Sequence, residues 1–477
     1  MILAAAAVVI LGGGAWTWQR AAATAEIVAA ALPAVPDLGA APAPLRERIA
    51  AAEGRARFRL TAAKGLAELS RLYHANGFLA EAMRCYAGLE KAQPDEPRWP
   101  HLHATLLAGY GEIEPAAELW TKVVRLAPDY VAARLRLGDC RLKANRPAEA
   151  AAVYDEVLRR DPGNAYALLG LARIDYEAGR WNEARTRLET VVSQTNYALG
   201  YDLIVSLYER LGQPDRAAAI RGAAKASGAY RDPPDPWVDG LMDDCYDPYR
   251  LALAAGVAAR TGAPATGIKL LQRALALAPD DVSSHFQLGG IYLSQRDFTN
   301  AHAEFDRCTE LAPDFSDGWS QLSALEEQTG DLGAANRTLA EGLKHCPDSP
   351  GLHLMRARRE RKAGQTEAAI NDYLRSIQLR PNEPDAYVEL GGLYVELGND
   401  EAGVHQMELA LQADPGDPAA LGVLAFRAIS TGQEKEARRW LQRVTLQPRV
   451  PRPQVAALLQ AYQQAFGRAF SPDRPAN

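Results

Sequence analysis

Cysteine is scarce and scattered. The five thiols, Cys85, Cys140, Cys245, Cys308 and Cys346, lie in five separate stretches, and none belongs to a CxxC or CxxCH pair. An odd number at such wide spacing is no disulfide framework, and a thiolate metal module or covalent haem has nothing to attach to. The eight histidines are equally dispersed; His101 and His103, two apart on a helical stretch, face different sides. HExxH, GxSxG and the phosphate-cradling GxxxxGK[ST] are missing. The glycine triplet at 12–14 lies inside an apolar run and not after a strand. Positive charge is not in excess either: 53 Lys and Arg against 59 Asp and Glu leave a net charge of -6, which offers nucleic acid no basic stripe. These absences remove the carriers of catalysis and point away from a metal, a cofactor or a nucleic-acid partner. A non-enzymatic protein that works through its surface is the expectation.

What the chain does have is a period. In residues 282–315, apolar positions at Phe286, Leu288, Ile291 and Tyr292 recur at helical spacing, and Ala301, Phe305 and Cys308 repeat this after a break at Arg296 and Asp297. Pro313 ends the second helix, because proline lacks the amide donor and restricts the residue before it. Prolines fall at 94, 128 and 162, then at 279, 313, 347, 381 and 415, always 34 apart within each run. The helix-to-helix turn holds Gly77, Gly111, Asn145, Gly179, Gly212, Gly262, Arg296, Gly330, Gly364, Gly398 and Gly432. Glycine is favoured there because a helix end entering the left-handed region would press a side chain against the backbone. Five residues on stands a small residue (Ala82, Ala116, Ala150, Ala184, Ala217, Gly267, Ala301, Ala335, Ala369, Gly403, Ala437), where only a small group lets two helices cross closely. Four further on a bulky one usually follows: Tyr86, Trp120, Tyr154, Leu188, Leu271, Phe305, Leu339, Tyr373, Met407 or Leu441.

This 34-residue helix-turn-helix with its small/large pattern resembles the tetratricopeptide repeat (TPR). The resemblance covers residues 63–452 as eleven units and implies an all-α fold, an α-solenoid of about eleven hairpins in two arrays behind an N-terminal apolar anchor helix. Residues 63–230 form the first array; its fifth unit has Arg221 where a bulky apolar residue is expected and no closing proline. Residues 248–452 form the second, and 453–477 a capping helix with a tail.

The other segments are read from composition. Residues 2–18, ILAAAAVVILGGGAWTW, are an uncharged run about 25 Å long as a helix, the short end for a membrane span. Trp16 and Trp18 followed by Arg20 suit the membrane–water boundary. Three readings stay open for 1–20: an uncleaved anchor, a secretory signal cut near Ala23-Thr24-Ala25, and an apolar terminus buried in the fold. Arg20 alone would draw the repeats inward. The family habit of displaying such arrays on the far side favours the periplasm or cell exterior, with the cytoplasmic orientation open. Residues 21–62 read as a spacer, rich in proline and alanine over 32–45, and a solvated capping helix carrying Arg46, Arg48, Arg55, Arg57 and Arg59, with contact to anionic headgroups as the alternative. Residues 231–247, RDPPDPWVDGLMDDCYD, hold six aspartates and three prolines and read as a hinge or acidic insert between the two arrays. Asp235-Pro236 and Asp247-Pro248 fit helix starts. The acidic spacing does not match an EF-hand loop, and Trp237 reads as a plug against a flanking helix.

Function must then come from a surface. The family pattern implies that the first helix of each unit lines a concave face, and its inward positions in the second array are Phe286, Leu293, Leu354, Met355, Val388, Val395, Phe426 and Ile429. Beside them lie Arg358, Arg361 and Lys362, flanked by Glu327, Glu389 and Glu396. Two readings are open: a peptide groove whose cations take a carboxylate or acidic segment, or inter-repeat ion pairs on a solvated face. The lysine–asparagine clamp of some TPR cochaperones is not reproduced, since Ala67 and Arg71 stand at the corresponding places. The resemblance implies a membrane-tethered scaffold binding a protein or peptide partner in a bacterial-type envelope. Its alternative is a substrate-presenting subunit of an envelope enzyme or assembly machine, as in cytochrome-maturation proteins that join an anchor to TPRs.

Overall fold

The computed structural model describes residues 18–471 except 196, 215, 218, 219, 222–232 and 448. The apolar run 2–18 lies outside the described residues apart from Trp18, as does the tail from 472. Among the described residues there is no strand, and no helix is long and apolar enough to cross a membrane.

The chain forms two compact units, residues 1–279 and 280–477. The first holds α1 (residues 18–31), α2 (Ala43–Arg57), and the hairpins α3 (Ala62–Ala75) with α4 (Leu79–Ala92), α5 (Arg98–Gly109) with α6 (Ile113–Leu126), α7 (Val131–Lys143) with α8 (Pro147–Arg160) and α9 (Ala165–Glu177) with α10 (Trp181–Gln194). α11 (Ala198–Arg210) follows, and the described residues of 214–221 are helical, with Arg221 paired to Glu209. A last hairpin joins α12 (Pro248–Arg260) to α13 (Pro264–Leu277). The second unit pairs α14 (Val282–Ser294) with α15 (Phe298–Leu311), α16 (Ser316–Thr329) with α17 (Leu332–His345), α18 (Pro350–Lys362) with α19 (Thr366–Leu379), α20 (Asp385–Glu396) with α21 (Asp400–Ala413) and α22 (Pro418–Ser430) with α23 (Glu434–Leu446), and closes with α24 (Arg452–Phe466).

The compact units divide after Pro279 and not at 231–247, so the hairpin α12–α13 belongs with the first. The tie is polar: Arg273 of α13 donates to the carbonyls of Met242 (2.7 Å) and Cys245 (2.9 Å), and the adjoining Asp244 and Tyr246 are bound to Asn76 at the end of α3.

Local chemistry explains the hairpins. Asp247, Asp281, Ser349 and Asp417 each accept a hydrogen bond from an amide of the first turn that follows, supplying a partner the helix itself cannot. All eleven turn positions take positive φ: 66–92° at the nine glycines, 58° at Asn145 and 59° at Arg296. The clash of Cβ with the backbone at positive φ is therefore carried at Arg296, which lacks asparagine's tolerance of this region. Arg296→Gly is expected to stabilise the second unit by about 0.5–1 kcal/mol, and Asn145→Gly the first by less. Urea midpoints measure both; an unchanged or lowered midpoint for Arg296→Gly would contradict the strain argument.

The small/large code is met throughout. The small positions are buried, and the ten bulky residues opposite are no more than 2% exposed. Tyr154 shows why: a Cβ at Gly138 of α7 would sit 2.6 Å from its ring and one at Gly170 of α9 2.4 Å away. Its ring fills a slot left by two glycines.

The arginine-rich stretch 45–61 is not the solvated cap expected. α2 buries Leu45, Ile49, Ala52 and Ala56 along one stripe, and packs so closely on α3 that a Cβ at Gly65 would lie 2.2 Å from the Ala56 nitrogen. Arg55 pairs with Glu68 and Arg57 with Glu53, while Arg48 reaches the buried Asp244. Two of the four stripe residues are alanine, which kept the pattern faint. Only 32–42 of the expected spacer region lacks regular structure; α1 buries Val28, and Ala31 abuts Gly88 of α4.

Candidate peptide-binding grooves

In the second unit, α18 brings the sequence-predicted cations onto the side shared with its neighbouring first helices. Arg358 donates to Glu389 of α20 through Nε (2.8 Å) and Nη2 (2.5 Å), and Arg361 is paired with Glu396 one turn on. Lys362 Nζ reaches Glu327 of α16 at 3.0 Å. Hydrogen bonds donated to Glu389 and Glu396 hold the two guanidiniums above their usual range, and the bond from Lys362 lowers the Glu327 carboxyl. The cations and glutamates thus form a ladder across three repeats, which is the ion-pair arrangement. It also walls an open hollow floored by Met355, Ala324 and Tyr373. Three members of that hollow, Ala324, Arg359 and Tyr373, lie outside the set expected from the sequence. Arg359 is tied to Glu327 (3.1 Å) and the Ala335 carbonyl (2.7 Å), and Tyr373 donates to Glu389 at 3.1 Å. Arg359 lies in the same basic run; Tyr373 had been read only as a packing residue.

The apolar trough is less complete than expected. Phe286 and Leu293 pack against the core of Phe305, Leu322 and Leu325, Met355 against Leu339 and Leu352, and Val388 against the core of the last hairpins. Ile429 is buried outright. Val395 (38%) and Phe426 (58%) remain exposed. Of the named apolar residues, only Met355 lines the hollow with the cations.

The first unit holds an arrangement that sequence reasoning did not find. Residues 233–247 run along its first helices, and two aspartates are the fixed points. Asp235 caps the turn Pro236–Asp239 and accepts from Tyr130 OH (2.6 Å), while its second oxygen lies 2.8 Å from His101 Nε2. Trp120 Nε1, a donor only, lies 3.2 Å from His101 Nδ1, so that nitrogen must accept and Nε2 carries the proton given to Asp235. Burial pushes the Asp235 carboxyl up, but the bonds from His101 and Tyr130 outweigh it and leave it below the ordinary value. Trp237 stacks on Tyr130 with centroids 3.7 Å apart and meets His101 edge-on at 5.3 Å. The plug reading of Trp237 therefore matches its place in the fold.

At the other end, Asp244 accepts from Arg48 of α2 and Arg71 of α3, both at 2.8 Å. Asn76, which closes α3, grips main chain on both sides: its Nδ2 donates to the Asp244 carbonyl (2.9 Å) and its Oδ1 accepts from the Tyr246 amide (2.6 Å). Among the described residues no group of His, Cys, Asp or Glu is placed to hold a metal ion. Beyond Pro233 a hollow continues along α7 and α9, lined by Arg136, Asp139, Lys143, Tyr166 and Arg173.

Comparison with known proteins agrees with the repeat architecture. Models described as tetratricopeptide repeats match residues 141–204 and 403–462, 101–165 and 253–314, and 384–417, and a TPR repeat model matches 357–398. Together they take in more than half of the chain. A heat shock protein sti1 homolog of Schizosaccharomyces pombe is 34% identical over 104 residues, which are 22% of this chain and 17% of that protein. DnaJ homolog subfamily C member 3 of Rattus norvegicus is 22% identical over 276 residues, 58% of this chain and 48% of its own. The chain thus spans less than half the length of either relative. The crystal structure of yeast Tom70 aligns with a TM-score of 0.40 at 14% identity, over 84% of this chain and 95% of that one. The repeating turn, the small/large contacts and matches spread over both units lead to one assignment: the chain belongs to the tetratricopeptide-repeat family.

Proposed function

We propose that this protein is a scaffold without catalytic chemistry of its own, which holds short segments of partner proteins against the faces made by the first helices of its hairpins. The observation that carries this reading is residues 233–247, a segment of short helical turns outside the repeats, gripped by Arg71, Asn76 and His101 on such a face. In the second unit the hollow beside α18 would take an acidic segment, with Arg358 and Arg361 exchanging their glutamate partners for it. The apolar run 2–18 with Trp16, Trp18 and Arg20 supports a tether to a membrane, with the repeats on the periplasmic or outer side.

Arg358→Glu with Arg361→Glu tests the second hollow. Both arginines are partly exposed, so each broken pair is expected to cost only about 0–1 kcal/mol. Capture of a partner by crosslinking in intact membranes should fall at least about tenfold, since 1.4 kcal/mol of lost binding already gives that factor. Capture that survives unchanged, with helicity intact, would remove this hollow from the binding surface. Recovery of a heterogeneous set of unfolded exported chains in place of a discrete partner would favour the substrate-presenting role.

A further inference from the structure

We infer that residues 233–247, a helical turn at Pro236–Asp239 followed by a 3-10 helix at Gly240–Asp244, are a built-in occupant of the face made by the first helices of the first unit, and that the partner this face is made for is an acidic, aromatic-anchored segment of the same short-turn form that competes with it. This rests on the reading that first-helix faces hold partner segments, and it names the chemistry of one such segment.

The grip combines packing with directed polar contacts of the kind that recognise a ligand. Four groups from separate parts of the unit, Arg48, Arg71, Asn76 and His101, converge on residues 134 to 198 positions further along the chain. They act through ionic and directed hydrogen bonds. Asn76 takes the main chain from both sides, a contact that any segment of that form could satisfy. The side-chain readers are selective: His101 and Tyr130 require a carboxylate at one point, the Tyr130 ring a flat aromatic two residues on, and Arg48 with Arg71 a second carboxylate nine residues after the first. Paired guanidinium donors recognise a carboxylate geometrically as well as by charge. The segment adds apolar anchors of its own, Trp237 against the core of α5–α7 and the buried Leu241 and Cys245, but the hairpins beneath also pack on themselves. α3, α5 and α7 are held by their own partners α4, α6 and α8, through Tyr86, Trp120 and Tyr154.

The segment is also tethered on both sides, so its effective concentration at the face is high, and a free competitor of the same chemistry meets an occupied site. The face is consequently closed until a partner outcompetes the segment. The hollow continuing past Pro233 along α7 and α9 carries Arg136, Lys143 and Arg173 beside Asp139 on its walls.

The test uses the full chain and a fluorescein-labelled synthetic peptide of residues 233–247. A released variant carries Asp235→Ala, Trp237→Ala and Asp244→Ala. It is expected to bind the peptide saturably and at least tenfold more tightly than the wild type. Adding Arg71→Glu to the released variant should lose that gain, whereas adding Arg358→Glu with Arg361→Glu should leave it in place. A reversed-sequence peptide should not bind. No gain in a folded released variant, or a gain indifferent to Arg71→Glu, would overturn the inference while leaving the second-unit hollow untouched. Should the triple variant fail to fold, Trp237→Ala alone is titrated; a gain of about threefold is expected from weakened occupancy, and its absence would make the segment part of the core.

Discussion

Tyr154→Ala is expected to destabilise the first unit by about 3–5 kcal/mol, the range for removing a fully buried aromatic side chain. The ring is 1% exposed, and the walls of its slot are the backbones at Gly138 and Gly170. Glycine walls have no side chain to swing into the space, so the cavity should persist, and cavity-lining atoms lose their contacts outright. The hydroxyl adds a second loss. It donates to Asp139 at 2.6 Å, and burial already pushes that carboxyl above its usual range. Tyr154→Phe isolates this part and is expected to cost about 1–2 kcal/mol. In a repeat array each hairpin is stabilised mainly by its neighbours, so the damage should concentrate at the junction of α7–α8 with α9. Urea denaturation gives the total, and amide exchange resolved along the chain shows where it falls. A loss below 1 kcal/mol for the alanine variant would mean that the slot collapses and the glycine argument is wrong.

The second large effect is acid lability of the α18–α19 hairpin. Asp372 accepts from Arg356 Nη2 at 2.7 Å and lies 2.9 Å from His353 Nδ1; the other His353 nitrogen faces the Pro347 carbonyl at 2.9 Å. Burial raises the Asp372 carboxyl, but the hydrogen bonds and charges of Arg356 and His353 prevail and set it at about 2. A carboxyl depressed in the folded state contributes stability that is present above its unfolded value near 3.8 and is lost as pH falls toward 2. Because the Arg356 side chain is 42% exposed, solvent screens the pair, and a contribution of about 1–2 kcal/mol is expected. Glu360 works with the opposite sign. Burial and the neighbouring Asp372 raise its carboxyl, so stability linked to it is greatest at low pH and declines as pH rises through the raised value. Asp372→Ala should cost about 2–3 kcal/mol at neutral pH, by stranding two buried or half-buried donors. It should also flatten the second unit's midpoint between pH 4 and 2 relative to the wild type. An unaltered acid profile in the variant would assign the lability to other carboxylates.

Particular residues show how far the sequence could be read. The turn at Arg296 was identified from its place in the 34-residue period despite the wrong residue type, and it does take φ of 59°. Asp247 was read as a helix cap from its proline neighbour alone, and it accepts from the Tyr249 and Arg250 amides. Both are local events, decided within four residues. The cations of α18 show the limit. Their shared face followed from helical spacing, but their partners lie 31 to 35 residues away, and whether each arginine meets a glutamate or solvent depends on how closely adjacent first helices stack.

The hairpins, their turns and the small/large contacts between them were determined by the sequence alone, because each is set by spacing within one repeat and repeated until chance is excluded. The inner face of the first unit was decided only by tertiary structure. His101 and Asp235 are 134 residues apart and Arg71 and Asp244 173 apart, and no periodicity links them. They meet because residues 233–247, part of a stretch whose composition reads as a hinge or insert, lie along the first helices with Asp235 and Asp244 buried there.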